Sequence, residues 1–206
     1  MTTIIIIVIT VIVTIYAWRQ PHLYQNWMMN PYAVSTRKQY YRFLTSGFIH
    51  INYMHLGFNM LTFYFFAGRV ESEFNYGSNG NGTLLFVIFY LAAIIISEIP
   101  TFFKNRNKPQ YNSLGASGGV AAVVFSSILY SPTVEICLYL AICIPGFILG
   151  ILYLIYSYYM GRKQMDNINH DAHLYGALFG IVFTLVIDPN VLPAFVEQLS
   201  GYVPFR

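Results

Sequence analysis

The 206-residue chain is 56% hydrophobic and only 9% charged, with a mean hydropathy of +0.53. That leaves too little polar surface to cover a soluble domain of this length, so the composition predicts an integral membrane protein whose solvent is a lipid bilayer. The net charge of +3 is spread over connections with no basic run of the kind that grips nucleic acid, and no nucleic-acid partner is expected.

Six apolar stretches approach the ~20 residues that a bilayer core requires. They run from Thr2 to Trp18, Phe48 to Gly68, Thr83 to Phe103, Leu114 to Tyr130, Val134 to Tyr156 and Ala172 to Ile187. The first has no basic residues ahead of its apolar run and reads as an uncleaved anchor helix rather than a secretory leader. The connection from Arg19 to Gly47 is far longer than a turn between helices. Its Trp27, Met28, Met29, Tyr40, Tyr41 and Phe43, mixed with Arg and Lys, predict a structured piece lying partly embedded in the membrane interface. The stretch "ESEFNYGSNGNG" after the second span reads as a solvent loop. Cys137 and Cys143 both fall in the fifth span. On a helix, six positions separate them onto different sides, so they read as packing residues with no disulfide and no metal site. With no internal repeat and no second domain visible, residues 1–206 are expected to form a single all-α domain.

Six crossings would bring the second, fourth and sixth spans in from one face, opposite the amino terminus. Their first turns carry His50, His55 and Asn59; Ser117; and His170, Asp171 and His173, with His170 read as a loop residue just ahead of its helix. The odd spans show nothing comparable, since Glu98 and Glu135 are expected near helix ends. A charged group near the bilayer centre costs about 2.5–3.5 kcal/mol on insertion scales, so polar clusters inside spans mark function by default.

A serine and a histidine on neighbouring helices supply a nucleophile and a general base. Gly115, Gly118 and Gly119 flank Ser117, while Ala172, Gly176 and Gly180 recur at four-residue spacing, giving two small-residue faces that allow close helix approach. His55 and Asn59, at i and i+4, can aim donors at one oxygen, and the helix amino termini favour developing negative charge there. Each motif alone has a plain packing explanation; their convergence at one depth is what points to chemistry. The G-x-S-x-G pattern of Gly115, Ser117 and Gly119 fits soluble hydrolases poorly, because that elbow requires a strand and a sheet. A zinc peptidase wants histidines at i, i+4 around a Glu, whereas His50 and His55 are five apart, so neither a metal nor any other cofactor is expected.

The set "HINYMHLGFN", "GASGG" and "AHLYG", in this order on the second, fourth and sixth spans, resembles the rhomboid intramembrane serine proteases from about Tyr41 to Gly180. The resemblance implies a six-transmembrane-helix bundle and a Ser-His dyad. Ser117 would attack the scissile carbonyl and His173 would relay its proton to the leaving amine. His55, Asn59 and the backbone N–H of Ser117 would hold the oxyanion. It also implies supporting roles for His50, for Arg42 in the first loop after Tyr41, and for Glu71 as an acceptor in the turn after the second helix. Asp171 matches no member of that set. The family often carries an aromatic four residues after the serine, packed on the histidine. Here Ala121 stands there, so either another side chain holds the imidazole or the dyad is looser.

Substrates implied by the resemblance are single-span membrane proteins whose helix can unwind near its outer end. The competing function is a catalytically inactive rhomboid-like protein that binds transmembrane helices; a transporter would show inverted repeats or broken helices, and neither is visible. Orientation divides the indications. Arg19, Arg37, Lys38, Arg42, Lys104, Arg106, Lys108, Arg162 and Lys163 lie on the face where the site opens, against Arg69 and Arg206 opposite, which the positive-inside rule reads as a cytoplasmic site. The resemblance implies instead a bacterial inner membrane with the site on the extracytoplasmic side, and the expectation follows the resemblance.

Overall fold

The computed structural model describes residues 1–77, 80–138, 142–163 and 166–203. Long apolar runs with few internal prolines form helices: α1 (Thr2–Trp18), α5 (Tyr53–Gly77), α6 (Gly82–Asn105), α7 (Ser117–Tyr130), α8 (Gly146–Lys163) and α9 (His170–Ile187). The long first connection folds into three short helices, α2 (Pro21–Trp27), α3 (Pro31–Arg37) and α4 (Arg42–Thr45), and a single 3-10 turn. The prolines opening α2 and α3 sit where a helix has no use for the missing N–H. A final helix, α10 (Val191–Ser200), follows α9.

α7 lies at the centre, packed by α5, α6, α8 and α9, with every residue from Gly118 to Val123 buried. Its 14 residues rise about 21 Å at 1.5 Å each, less than a bilayer core of ~30 Å. Among the described helices, α6 and α9 are long and apolar enough to cross a membrane, and α1 and α7 are apolar but shorter. Large apolar side chains face outward on α1 (Ile4, Ile12), α5 (Leu61, Phe65) and α8 (Ile151, Ile155), as a lipid-facing surface requires. Inside, Phe74, Phe86, Phe89, Phe179 and Phe183 form one aromatic cluster between late α5, early α6 and late α9.

Several expectations are corrected. The second helix starts later, because the Asn52 side chain accepts the His55 N–H at 2.8 Å and caps α5 there. His50 therefore lies in the bend before α5 rather than on its first turn. α5 also continues to Gly77, so Glu71 stands in a helix and much of the expected solvent loop is helical; positions 78 and 79 lie outside the described residues.

The fifth span is not one helix. Strands β1 (Glu135–Leu138) and β2 (Ile142–Pro145) pair antiparallel ahead of α8, and Cys137 and Cys143 stand opposite each other, joined by a disulfide. Pro145 explains the break: it cannot donate a helical N–H, and it disfavours helical geometry at Ile144. In a hairpin the same six-residue separation that splits two cysteines on a helix brings them face to face. Glu135 consequently lies in a strand. Glu98 is a buried residue of the α6 interior, and His170 is the buried first residue of α9.

Candidate active site

Gly115, at φ +121°, makes the turn that aims the chain into α7; that region favours glycine, and a Cβ there would press on the His55 ring 2.5 Å away. The Gly115 N–H donates to the Ser46 carbonyl at 2.9 Å, and the Ala116 N–H donates to His50 Nε2 at 3.3 Å. Ser117 follows as the first helical residue, so its own N–H is among the donors that a helix start leaves free.

His50 acts as a bracket between α1 and α7. Because Nε2 accepts from Ala116, Nδ1 carries the proton and donates to Thr14 Oγ1 at 3.1 Å, while that hydroxyl donates to the Phe48 carbonyl at 3.0 Å. The His50 carbonyl accepts the Trp18 indole N–H at 2.7 Å. Arg42, also buried, donates to the Gln25 and Met28 carbonyls at 2.9 and 2.7 Å and to Gln39 Oε1 at 2.7 Å, tying α2 to α4. Glu71 Oε1 accepts from Thr2 Oγ1 at 2.6 Å and Thr83 Oγ1 at 3.0 Å, joining α1, α5 and α6 at the far end of the bundle.

His55 and Asn59 share one face of α5. The Asn59 amide donates to the His55 carbonyl at 2.9 Å, which uses one of its two N–H groups. The His55 ring lies edge-on to His50 at 5.0 Å, and among the described residues its buried Nδ1 has no hydrogen-bond partner.

α7 and α9 meet at their first turns with almost no space between backbones. A Cβ on Gly118 would lie 3.3 Å from the Ala172 carbonyl oxygen and overlap Ser97, one on Gly176 would overlap the Gly118 carbonyl, and one on Gly180 would overlap that of Ala122. Ser117 and His173 adjoin this contact in sequence, next to Gly118 and Ala172 respectively. Among the described residues no hydrogen bond joins them.

The His173 ring stacks on Tyr153 of α8, centroids 6.1 Å apart and planes at 22°, and meets His170 edge-on at 5.8 Å. Tyr153 in turn packs on Phe125, at 5.7 Å. An aromatic therefore does cover the imidazole, but from α8 rather than from position 121. Two carboxylates beside the site are engaged elsewhere. Asp171 accepts from Lys104 Nζ at 2.6 Å, and that ammonium also donates to the Gly161 carbonyl at 2.7 Å. Asp166 lies 3.1 Å from His170 Nε2, and this hydrogen bond holds its carboxyl below the ordinary aspartate range.

Sequence reasoning missed the polar face of α6. Glu98, Thr101 and Asn105 are buried, and Thr101 Oγ1 donates to the Oδ1 of Asn169, the cap of α9, at 2.9 Å. Asn169 was legible as a cap, standing just ahead of an apolar run. Glu98 was not, because its partners are distant in sequence. Among the described residues no group of three or more His, Cys, Asp or Glu has the arrangement to hold a metal ion.

Residues 37–189 match the Rhomboid domain family model. Two relatives from Arabidopsis thaliana are each 28% identical: RHOMBOID-like protein 12, mitochondrial, over 74% of this chain and 49% of its own length, and Rhomboid-like protein 11, chloroplastic, over 72% and 53%. The chain thus spans about half the length of the curated relatives it matches.

Proposed function

We propose that this chain, which belongs to the rhomboid family of membrane proteins, is an intramembrane serine endopeptidase that cleaves transmembrane segments with a Ser117–His173 dyad. The observation that carries the reading is the meeting of α7 and α9 at glycines beside both residues, with His55 packed on Gly115 two positions ahead of the serine. Catalytic hydrogen bonds commonly tighten only with substrate present, so the hydroxyl and the imidazole are expected to bond in the substrate complex.

In the proposed reaction Ser117 Oγ bonds to the scissile carbonyl carbon as His173 takes its proton. The oxyanion then receives hydrogen bonds from the Ser117 N–H, the free Asn59 N–H and the His55 ring. Collapse breaks the peptide bond, His173 protonates the leaving amine, and a water activated by His173 hydrolyses the acyl-enzyme, regenerating Ser117. No carboxylate is needed on His173, since Tyr153 stacks on its ring.

Six bilayer crossings, by α1 and α5 to α9, are part of this proposal. With α7 only about 21 Å long, its amino terminus would lie recessed from the surface, reached by water beneath the short helices of the first connection. A substrate helix must unwind to present its carbonyl, so single-span proteins with small or helix-weakening residues are the expected substrates.

Two observations favour a site facing the reducing side of the membrane, the reverse of what the resemblance implies. Lys and Arg cluster at the end carrying Ser117, and the Cys137–Cys143 disulfide stands in the hairpin after α7, at the other end. A cysteine placed at Lys108 and probed in intact cells tests this: protection from an impermeant thiol reagent is expected, and labelling from outside would reverse the orientation.

Activity is tested by labelling the purified, detergent-solubilised chain with a fluorophosphonate beside Ser117→Ala and His173→Ala. Labelling lost in both variants is the expected result. Absent labelling of the folded wild-type chain would favour the second reading, a helix-binding rhomboid-like protein without turnover.

A further inference from the structure

Glu98 is 6% exposed in the interior of α6, and among the described residues no cation pairs with it. A buried carboxylate is expensive, and an apolar side chain of similar volume would serve packing better. Its contacts indicate what it does instead. Ser113 Oγ donates to it, 3.3 Å from each oxygen, and Asn169 Nδ2 donates to it at 3.1 and 3.2 Å. Ser113 stands four residues before Ser117, and Asn169 four residues before His173.

Both partners are themselves fixed to the segments they precede. Ser113 exchanges two backbone hydrogen bonds with Met29, 2.9 and 3.0 Å, and from there the chain runs through the pinned N–H groups of Gly115 and Ala116 into Ser117. Asn169 Oδ1 caps α9 by accepting the Ala172 N–H at 3.2 Å, and the Asn169 carbonyl accepts the His173 N–H at 3.3 Å.

We propose that Glu98 is a positioning residue for the dyad: one buried carboxylate that holds the approach to the nucleophile and the cap of the base's helix in a single relative register. This rests on the reading of Ser117 and His173 as nucleophile and base. The glycine contacts between α7 and α9 set how close the two helices come, and Glu98 sets where along and around one another their first turns stand. A misplacement of about 1 Å between reacting groups can cost up to a hundredfold in rate.

The test exchanges the polarity of one hydrogen bond. In Glu98→Gln the new amide N–H group faces the Asn169 amide donors, and one acceptor is lost. In the double variant Glu98→Gln/Asn169→Asp, the glutamine donates to the aspartate, still accepts from Ser113, and the aspartate still caps α9 and accepts from Thr101. Fluorophosphonate labelling of the full chain in detergent is followed for inactivation rate constant and probe affinity separately, alongside the thermal midpoint.

Glu98→Gln is expected to lower the rate constant at least about tenfold with probe affinity unchanged, and the double variant to return to within about threefold of wild type. Wild-type labelling of Glu98→Gln, or a double variant no faster than the slower single variant, would overturn the proposal. If Glu98→Gln does not fold, Ser113→Ala carries the test: several-fold slower labelling supports the positioning role, and an unchanged rate overturns it. Failure of the dyad reading has its own signature, an unlabelled wild-type chain or a labelled Ser117→Ala variant, and would remove this proposal with it.

Discussion

The two flanks of α7 are built differently. Towards α9 the backbones touch, so that a Cβ on Gly176 or Gly180 would overlap carbonyl oxygens of α7; towards α8, a Cβ on Gly150 would meet the Phe125 and Ile128 side chains at 3.3–3.4 Å, a tight contact that side chains relieve by shifting a few tenths of an ångström. The α9 flank is further locked by polar links through Glu98, Thr101 and Asn169, and by the Thr184 to Ser126 hydroxyl bond at 2.7 Å. The α8 flank is apolar, its clearest contribution to the site being the Tyr153 ring. The helix pair carrying both residues of the proposed dyad is held in one register, whereas the other flank supplies a cover. Reacting groups need positions set within a fraction of an ångström, and glycine contact against backbone is the least compressible way to set them.

That contrast can be broken from the largest effect downward. Ser117→Ala is expected to abolish labelling and cleavage altogether, read by gel fluorescence of the probe; residual activity would move the nucleophile elsewhere. Gly176→Ala places a methyl group where backbone cannot yield, and is expected to cost about 3 kcal/mol, the upper end for overpacking, with activity lost in parallel. A thermal midpoint within a degree of wild type would show that this contact is looser than described.

Asn59→Ala removes one oxyanion donor and should slow turnover about a hundredfold, ~3 kcal/mol, while leaving the fold intact. Peptide-cleavage kinetics would then show a lower kcat at similar KM. Tyr153→Ala uncovers the His173 ring and is expected to slow the reaction about five- to tenfold, on the scale of an aromatic pair at ~1 kcal/mol, with Tyr153→Phe near wild type. Equal rates in all three chains would show that the stack does not hold the imidazole. At the bottom of the series, Gly150→Ala on the α8 flank should change stability by no more than about 0.5 kcal/mol. A loss as large as that of Gly176→Ala would erase the distinction between the flanks.

What could be read in advance follows the range of the interaction involved. Apolar runs placed α1, α6 and α9 within a few residues, because burial in lipid is a property of the stretch itself. The start of α5 depends on the Asn52 cap, a local signal that the hydropathy of the Phe48 to Gly68 run does not carry. Pro145 likewise signalled that the fifth apolar run would not stay helical, but the strand partner that makes a hairpin of it is not a local feature. Ser117, His173, His55 and Asn59 could be singled out because polar groups in apolar runs stand out by cost.

The sequence by itself determined a helical chain, a set of polar residues at matching helix starts, and the glycines that allow close approach, since each depends on composition and spacing along one segment. Only the tertiary structure decided which groups support them. Glu98 meets partners 15 and 71 residues away, Tyr153 covers His173 from α8, and Cys137 faces Cys143 across a hairpin. The first two depend on how helices are placed around α7, where turning a helix by one residue would aim its side chains at other neighbours, and the third on a strand pairing that no single segment contains.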